Sequence, residues 1–223
     1  KKPADEIFDI DAMARYFAVV DVMAAYHGVI WHNQRFYYNP VTSKLEPIGF
    51  DGFSQGGDLT WEGRLFMGKG IYNQKFEDNS ILDLVFKNEK FIEKYTTYLY
   101  TYSSRDFFEG FLEDIEDEIL AKEALLKEEY PDAKFDFQKF YAITRNIRAV
   151  IEPYNEHTVQ AHTESKTATT KKLKVTNFHA LPLKVVGFGI NGKEIVDTVA
   201  NPPLLECNIE QKSPTYLDMT TKP

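Results

Sequence analysis

Cysteine is nearly absent from the sequence, and long apolar runs are missing altogether. The single cysteine, Cys207, excludes an internal disulfide framework and a zinc site built from cysteines. No apolar stretch approaches the ~18 residues that a membrane-spanning helix needs, and no signal-peptide core is present. We therefore expect no membrane-spanning segment.

Basic residues are also in the minority. The chain has 34 acidic and 26 basic residues and a net charge of −8 at pH 7, which argues against a broad nucleic-acid-binding surface. We therefore expect no nucleic-acid partner. Apolar residues, in contrast, are plentiful, because 43% of the residues are hydrophobic and 14% are aromatic. This composition indicates a folded globular protein with a substantial core.

The first part of the chain predicts a helix followed by a β-hairpin. Apolar residues recur every three or four positions over residues 7–26, and Asp9 precedes them as the predicted N-cap. Residues 29–38 are rich in β-branched and aromatic side chains, which favours a strand. Turn-forming residues at 39–43 and a second strand pattern at 45–50 complete the hairpin.

Beyond the hairpin, the sequence predicts a long loop and then a helical region. Residues 52–79 are rich in glycine and have little periodicity, which is typical of a loop. Three helices are predicted at 80–103, with a break near Asn88, at 104–130 and at 136–151. The middle helix is amphipathic with an acidic outer face. Its expected core residues are Phe108, Phe111, Leu112, Ile115, Ile119 and Leu126.

The last third of the chain has a different pattern. After Pro153, residues 154–172 are polar and rich in threonine, which is typical of a linker or an exposed edge strand. Short apolar runs and an Asn-Gly pair at 191–192 predict a small all-β, sandwich-like domain over residues 173–223. The predicted fold class is therefore α+β, with a mainly helical domain over residues 1–153.

Three polar residues on or beside the hairpin are candidates for phosphoryl-transfer chemistry. That reaction needs carboxylate or amide oxygens that hold magnesium on the phosphates and a group that orients the attacking hydroxyl. Asn33 and Asp51 are 18 residues apart, which lets their side chains converge across the hairpin, and His27 lies just before them. Each residue has a structural alternative: Asp51 at a turn, Asn33 at a strand edge, and His27 near a helix C-terminus.

Three elements in this order resemble the CotH-like atypical kinases, the family of the spore coat protein H. The elements are Phe8-Asp9-Ile10-Asp11, His32-Asn33-Gln34-Arg35-Phe36-Tyr37-Tyr38 and Pro47-Ile48-Gly49-Phe50-Asp51. The similarity extends to about residue 151. It implies that residues 1–153 are the C-terminal lobe of a kinase-like fold, with ATP and magnesium as cofactors. It also implies that Asp51 binds magnesium and that Asn33 is the companion ligand.

The sequence departs from the family pattern in two places. Where the family has its catalytic Asp, this chain has Tyr26-His27-Gly28, so His27 becomes the candidate catalytic residue. The family's N-terminal lobe, with its phosphate-binding lysine, is absent from the chain, and no P-loop motif replaces it. We therefore expect the 223-residue chain alone to be inactive.

The resemblance leaves two functions open. One is an ATP- and magnesium-dependent kinase that phosphorylates serine or threonine in a protein substrate. The alternative is a catalytically degenerate surface or adhesion protein whose β domain binds a protein or glycan partner. In both cases the family implies a bacterial protein in an extracellular, cell-surface or periplasmic location.

Overall fold

The structure, a computed structural model, describes residues 2–52, 80–152, 158–167, 170–179, 181–189, 195–198, 204–205 and 215–220. The chain divides into two compact units, Lys1–Glu152 and Pro153–Pro223. The first unit is mainly helical with one hairpin, and the second contains short antiparallel strands, which confirms the α+β class. Cys207, the predicted loop after Gly52 and the predicted turn at 191–192 lie outside the described residues.

The first unit opens with two helices, α1 (Ala4–Ile7) and α2 (Ile10–Val22). Asp9 is the N-cap of α2, as predicted, because its Oδ1 accepts a hydrogen bond from the backbone N–H of Ala12 at 3.0 Å. The face of α2 that packs into the core carries Ile10, Met13, Ala14, Phe17, Ala18 and Val20. This is the three- and four-residue spacing on which the prediction depended.

Helix α2 is shorter than predicted. It ends at Val22, and Ala24 adopts a left-handed conformation with φ of 50°, which ends the helical backbone. A single 3-10 turn, Tyr26–Val29, follows where the sequence predicted the end of the helix and the start of a strand. Tyr26 and Val29 are both buried, so the turn is anchored in the core of the unit.

The predicted hairpin is present. Strands β1 (Arg35–Asn39) and β2 (Lys44–Ile48) pair in antiparallel register. The strand predicted from residue 29 begins only at Arg35, because hydrogen-bonded turns occupy the preceding residues. At the hairpin end, Oδ1 of Asn39 accepts a hydrogen bond from the backbone N–H of Val41 at 2.9 Å, which is an Asx turn.

Within residues 80–152, five helices are described. They are α3 (Ile81–Phe86), α4 (Glu89–Tyr102), α5 (Arg105–Asp114), α6 (Glu116–Glu129) and α7 (Gln138–Ile151). The predicted break near Asn88 is confirmed, because Oδ1 of Asn88 caps α4 by accepting from the backbone N–H of Phe91 at 3.0 Å. Among the described residues, no helix is long and apolar enough to cross a membrane.

The prediction of one helix over residues 104–130 is wrong. The backbone leaves the helical conformation at Ile115, which separates α5 from α6. Phe108 is buried as predicted, but Phe111 and Leu126 are exposed. Leu112, Ile115 and Ile119 are half-buried, so the predicted inner face is only partly covered.

The core of the first unit lies between α2, α4 and α7. The ring of Phe17 meets the rings of Phe86 and Phe91 edge to face, with centroids 5.4 and 5.9 Å apart. Ile143 and Ile147 of α7 are fully buried.

The described residues of the second unit form small antiparallel sheets. One sheet has the strand order β3 (Val159–Lys166), β4 (Thr170–Asn177) and β9 (Thr215–Thr220). Two strand pairs are β5 (Leu183–Lys184) with β8 (Leu204–Leu205) and β6 (Gly187–Gly189) with β7 (Ile195–Thr198). Val175 and Leu205 are buried together, with Leu173 and Val185 packed against them.

The sheet begins earlier than the predicted β domain. Strand β3 occupies part of the stretch 154–172, for which the sequence favoured a linker or an edge strand. It is at one end of the strand order, and all of its residues are exposed.

Candidate functional site

The three candidate residues lie on three short segments that meet at one point. His27 is on the 3-10 turn, Asn33 is in the turns before β1, and Asp51 follows β2. Nδ1 of His27 is 2.7 Å from Oδ2 of Asp51. Nδ2 of Asn33 is 3.0 Å from the same Oδ2 and 2.9 Å from the carbonyl oxygen of His27. The structure therefore brings together all three residues singled out from the sequence.

The hydrogen bonds determine the tautomer of His27. An ionised Asp51 can only accept, so Nδ1 of His27 must carry the hydrogen, and the lone pair of the neutral imidazole lies on Nε2. Nδ2 of Asn33 has two hydrogens and two acceptors, the His27 carbonyl and Asp51. The 3.1 Å approach between Asn33 Nδ2 and His27 Nδ1 joins two donors and is no hydrogen bond.

Gly28 explains how Asp51 reaches His27. A Cβ atom at Gly28 would lie 2.6 Å from the backbone oxygen of Phe50 and 3.3 Å from the hydroxyl of Tyr16. The absence of a side chain therefore lets the backbone after β2 cross directly over the turn. Asp51 then has a left-handed φ of 50°, a conformation that Asp tolerates better than most residues.

Beneath the turn lies a buried carboxylate that the sequence reading missed. Asp21 is fully buried, and its Oδ2 accepts a hydrogen bond of 2.5 Å from the hydroxyl of Tyr95. Burial, together with the charge and hydrogen bond of Asp21, raises the pKa of Tyr26 far above its ordinary value. Asp21 lies four residues after Phe17, so its position on the apolar face of α2 was the available signal.

Asp21 thus connects α2, α4 and the turn that carries His27. Tyr26 immediately precedes His27, and its ring is held in the core. His27 therefore lies on a turn whose buried side is held in place by the polar contacts among Asp21, Tyr26 and Tyr95.

The site combines a buried amide with two accessible ionisable groups. Asn33 is buried, whereas the side chains of His27 and Asp51 are 30% and 38% exposed. A ligand can therefore reach the imidazole and the carboxylate but not the amide that fixes them.

Aromatic rings lie beside the site. The ring of His32 lies edge to face with His27 at 6.4 Å and with the 83% exposed Trp31 at 5.3 Å. The guanidinium of Arg35 stacks on Phe50 at 4.8 Å, which places positive charge next to the residue that precedes Asp51.

The donor set suits magnesium only when a ligand supplies further oxygens. Asn33 directs Nδ2 toward Asp51, so its carbonyl oxygen would become a metal ligand only if the amide turned and lost the bond to the His27 carbonyl. Over the described part of the chain, no three His, Cys, Asp or Glu residues form a metal-binding group. Magnesium commonly binds one or two carboxylates together with substrate phosphates and water, and Asp51 fits that mode.

A cleft of about 450 Å³ is lined in part by Tyr16 and does not include His27, Asn33 or Asp51. Its lining contains the carboxylates of Asp9, Asp11 and Glu46 and one cation, Arg15. Because negative charge predominates there, the cleft is a poor phosphate site, and we do not assign the nucleotide to it.

The fold and the site define a mixed α+β protein with a His-Asp-Asn cluster beside a hairpin. Comparison with known proteins finds no matching family model, no matching curated protein and no matching solved structure.

Proposed function

We propose that this chain is a kinase-like phosphotransferase module of the CotH-like type, with His27, Asn33 and Asp51 at its reaction centre. The observation that supports it is the 2.7 Å hydrogen bond between His27 and Asp51, with Asn33 donating to the same carboxylate oxygen. In this proposal ATP is the phosphoryl donor and a serine or threonine hydroxyl of a protein is the acceptor. The module works outside the cytoplasm or at the cell surface, as the resemblance implies.

His27 acts as the general base in this proposal. Nε2 of His27 accepts the proton of the serine or threonine hydroxyl. The hydroxyl oxygen then bonds to the γ-phosphorus of ATP, while the bond between that phosphorus and the ADP oxygen breaks. Asp51 stabilises the imidazolium through its bond to Nδ1–H, and Asn33 holds Asp51 in place. A positioned general base of this kind contributes about 10² to 10⁴ in rate.

The second carboxylate oxygen of Asp51 could also bind a cation. Its Oδ2 accepts from His27 and Asn33, and Oδ1 is the oxygen that would hold magnesium together with the phosphates of the nucleotide. When bound, magnesium neutralises charge on the phosphates during transfer. Arg35, stacked on Phe50, adds positive charge at the edge of the site.

The alternative is a catalytically degenerate relative that acts as a surface or adhesion protein. One observation favours it: Oδ2 of Asp51 already accepts from two side chains, His27 and Asn33. In this alternative the β domain binds the protein or glycan partner, and the exposed edge strand β3 suits addition of a partner strand.

Calorimetric titration with ATP, with and without magnesium, tests the role of Asp51. We expect weak binding that requires magnesium and is lost in Asp51→Asn, because the neutral amide is a much weaker magnesium ligand. Asp132→Asn, a change at an exposed acid elsewhere, should bind like the unchanged chain. Equal nucleotide binding by the chain and by Asp51→Asn would remove Asp51 from the site.

Transfer of radiolabelled phosphate from ATP to a protein acceptor separates the two functions. Transfer that falls about 10² to 10⁴ in His27→Gln would support the phosphotransferase. Nucleotide binding without transfer is expected of the 223-residue chain alone under either function, so transfer by this chain is the outcome that excludes the degenerate relative. The same assay tests the expectation that the 223-residue chain alone is inactive.

A further inference from the structure

Helix α6 buries none of its side chains, whereas each of the other described α-helices buries at least one. A helix of 14 residues is marginally stable by itself in water, so it needs packing on an apolar face. The residues that could supply this packing are present: Leu120 is 56% exposed and Leu125 is 62% exposed.

The apolar residues of α6 lie on two opposite faces. One face carries Ile119, the helix-preceding Ile115 and Leu126; the two isoleucines are half-buried and Leu126 is exposed. The opposite face consists of two pairs four residues apart, Leu120 with Ala124 and Ala121 with Leu125, and all four residues are exposed. We call these four residues the outer face of α6.

The outer face has the form of a helix-packing surface. Its two alanines lie between the two leucines, so a second helix could approach the backbone closely there. At its ends lie Asp117, four residues before Ala121, and Glu128, four residues after Ala124. These two carboxylates are about 16 Å apart along the helix axis at 1.5 Å per residue.

The charge around the outer face selects the partner. Helix α6 itself, residues 116–129, contains six acidic and two basic residues, a net charge of −4. A second copy of the chain would bring two such surfaces together, and like charges across an interface are strongly unfavourable. A basic partner would instead gain from the same charges.

We propose that the outer face of α6 binds an amphipathic helix of another protein, one with an apolar stripe flanked by lysine or arginine about three turns apart. The apolar stripe packs on Leu120, Ala121, Ala124 and Leu125, and the basic residues pair with Asp117 and Glu128. This interaction does not involve the His27 site. A negative result for helix binding would therefore not contradict the phosphotransferase proposal, and the reverse also holds.

The test uses the whole chain and a fluorescein-labelled synthetic helix made of leucine on one face and lysine on the other. Fluorescence anisotropy should show saturable binding that weakens as salt rises, because the paired charges are screened. A peptide of the same composition in scrambled order and a peptide with glutamate in place of lysine should bind at least about tenfold more weakly. Failure of the leucine–lysine helix to bind, or equal binding of all three peptides, would overturn the proposal.

Variants then locate the binding surface. The double variant Leu120→Ala and Leu125→Ala keeps high helix propensity, so the fold is retained, and it should weaken peptide binding at least about tenfold. Val41→Ala removes an apolar side chain that is 91% exposed on the hairpin turn and should leave binding unchanged. Equal binding by the double variant would overturn the proposal, as would a concentration-dependent dimer in sedimentation that the double variant abolishes.

Discussion

At the scale of single residues, the candidate site depends on Gly28, which has no side chain, and on Asp21, whose side chain is buried. Gly28 has no Cβ, so the backbone that carries Asp51 can cross the turn that carries His27. Asp21 holds the opposite side of that turn through Tyr95 and Tyr26. Neither residue is expected to touch a substrate, yet both determine where the imidazole lies.

Gly28→Ala should disrupt this arrangement. The added Cβ would lie 2.6 Å from the backbone oxygen of Phe50, which cannot move away as a flexible side chain would. We expect a loss of about 1–3 kcal/mol in the free energy of unfolding, measured by urea denaturation. NMR of the His27 ring nitrogens should show that the Nδ1 hydrogen bond to Asp51 is weakened.

Gly110→Ala is the matched control, because the added Cβ would meet no atom within 4 Å beyond its own helix backbone and chain neighbours, and the residue is in helix α5. Alanine favours a helix over glycine by about 1 kcal/mol, so this change should be neutral or stabilising. If both variants had the same stability, the close approach at Gly28 would be disproved.

Tyr95→Phe should destabilise the protein through the buried carboxylate. The change removes the hydroxyl that donates to Asp21 and leaves a buried acceptor without this donor. The expected cost is about 1–3 kcal/mol in urea unfolding. Tyr37→Phe, at an exposed ring on β1, should change stability by less than about 0.5 kcal/mol. Equal effects of the two changes would show that the Asp21 bond adds nothing.

At the scale of secondary-structure elements, α2 and α4 are joined by a charged network at their surface. Asp11 of α2 accepts hydrogen bonds from Lys94 at 2.6 Å, from Tyr98 at 3.0 Å and from Arg15 at 2.8 Å. The hydrogen bond from Lys94, followed by those from Tyr98 and Arg15, lowers the pKa of Asp11 below its ordinary value of 3.8.

This shift predicts a pH dependence with a definite sign. Because the folded pKa of Asp11 lies below the unfolded value, its contribution is present above about pH 3.8 and is lost as pH falls through the folded pKa. Asp11→Asn should therefore be less stable than the unchanged chain at neutral pH, and the difference should shrink in strong acid. Because Asp11 is exposed, we expect the difference in the free energy of unfolding at neutral pH to be about 0.2–1 kcal/mol. Urea unfolding from pH 7 to pH 2 measures it, and a difference that grows in acid would contradict the assignment.

At the scale of the whole molecule, the chain divides into two compact units between residues 152 and 153. Boundaries between such units are preferred sites of proteolysis because few contacts cross them. We expect limited digestion with a nonspecific protease to cut first between Pro153 and Lys172. Mass spectrometry of the first fragments checks this. Earlier cutting within residues 104–130 would place the boundary elsewhere.

Local chemistry in the sequence was enough to predict the start of α2 at Asp9, the helix break at Asn88 and the hairpin, because caps and turns depend on neighbouring residues. The sequence also singled out His27, Asn33 and Asp51, through the hairpin spacing and the resemblance. It did not reveal that His27 binds Asp51 directly.

Only the tertiary structure decided the contacts between segments. The bond from His27 to Asp51 requires the backbone to cross Gly28, and the role of Asp21 requires Tyr95 from a helix far along the chain. The interruption at Ile115 likewise turned one predicted amphipathic helix into two. Such features depend on which surfaces pack together, and periodicity within one segment carries no information about its partners.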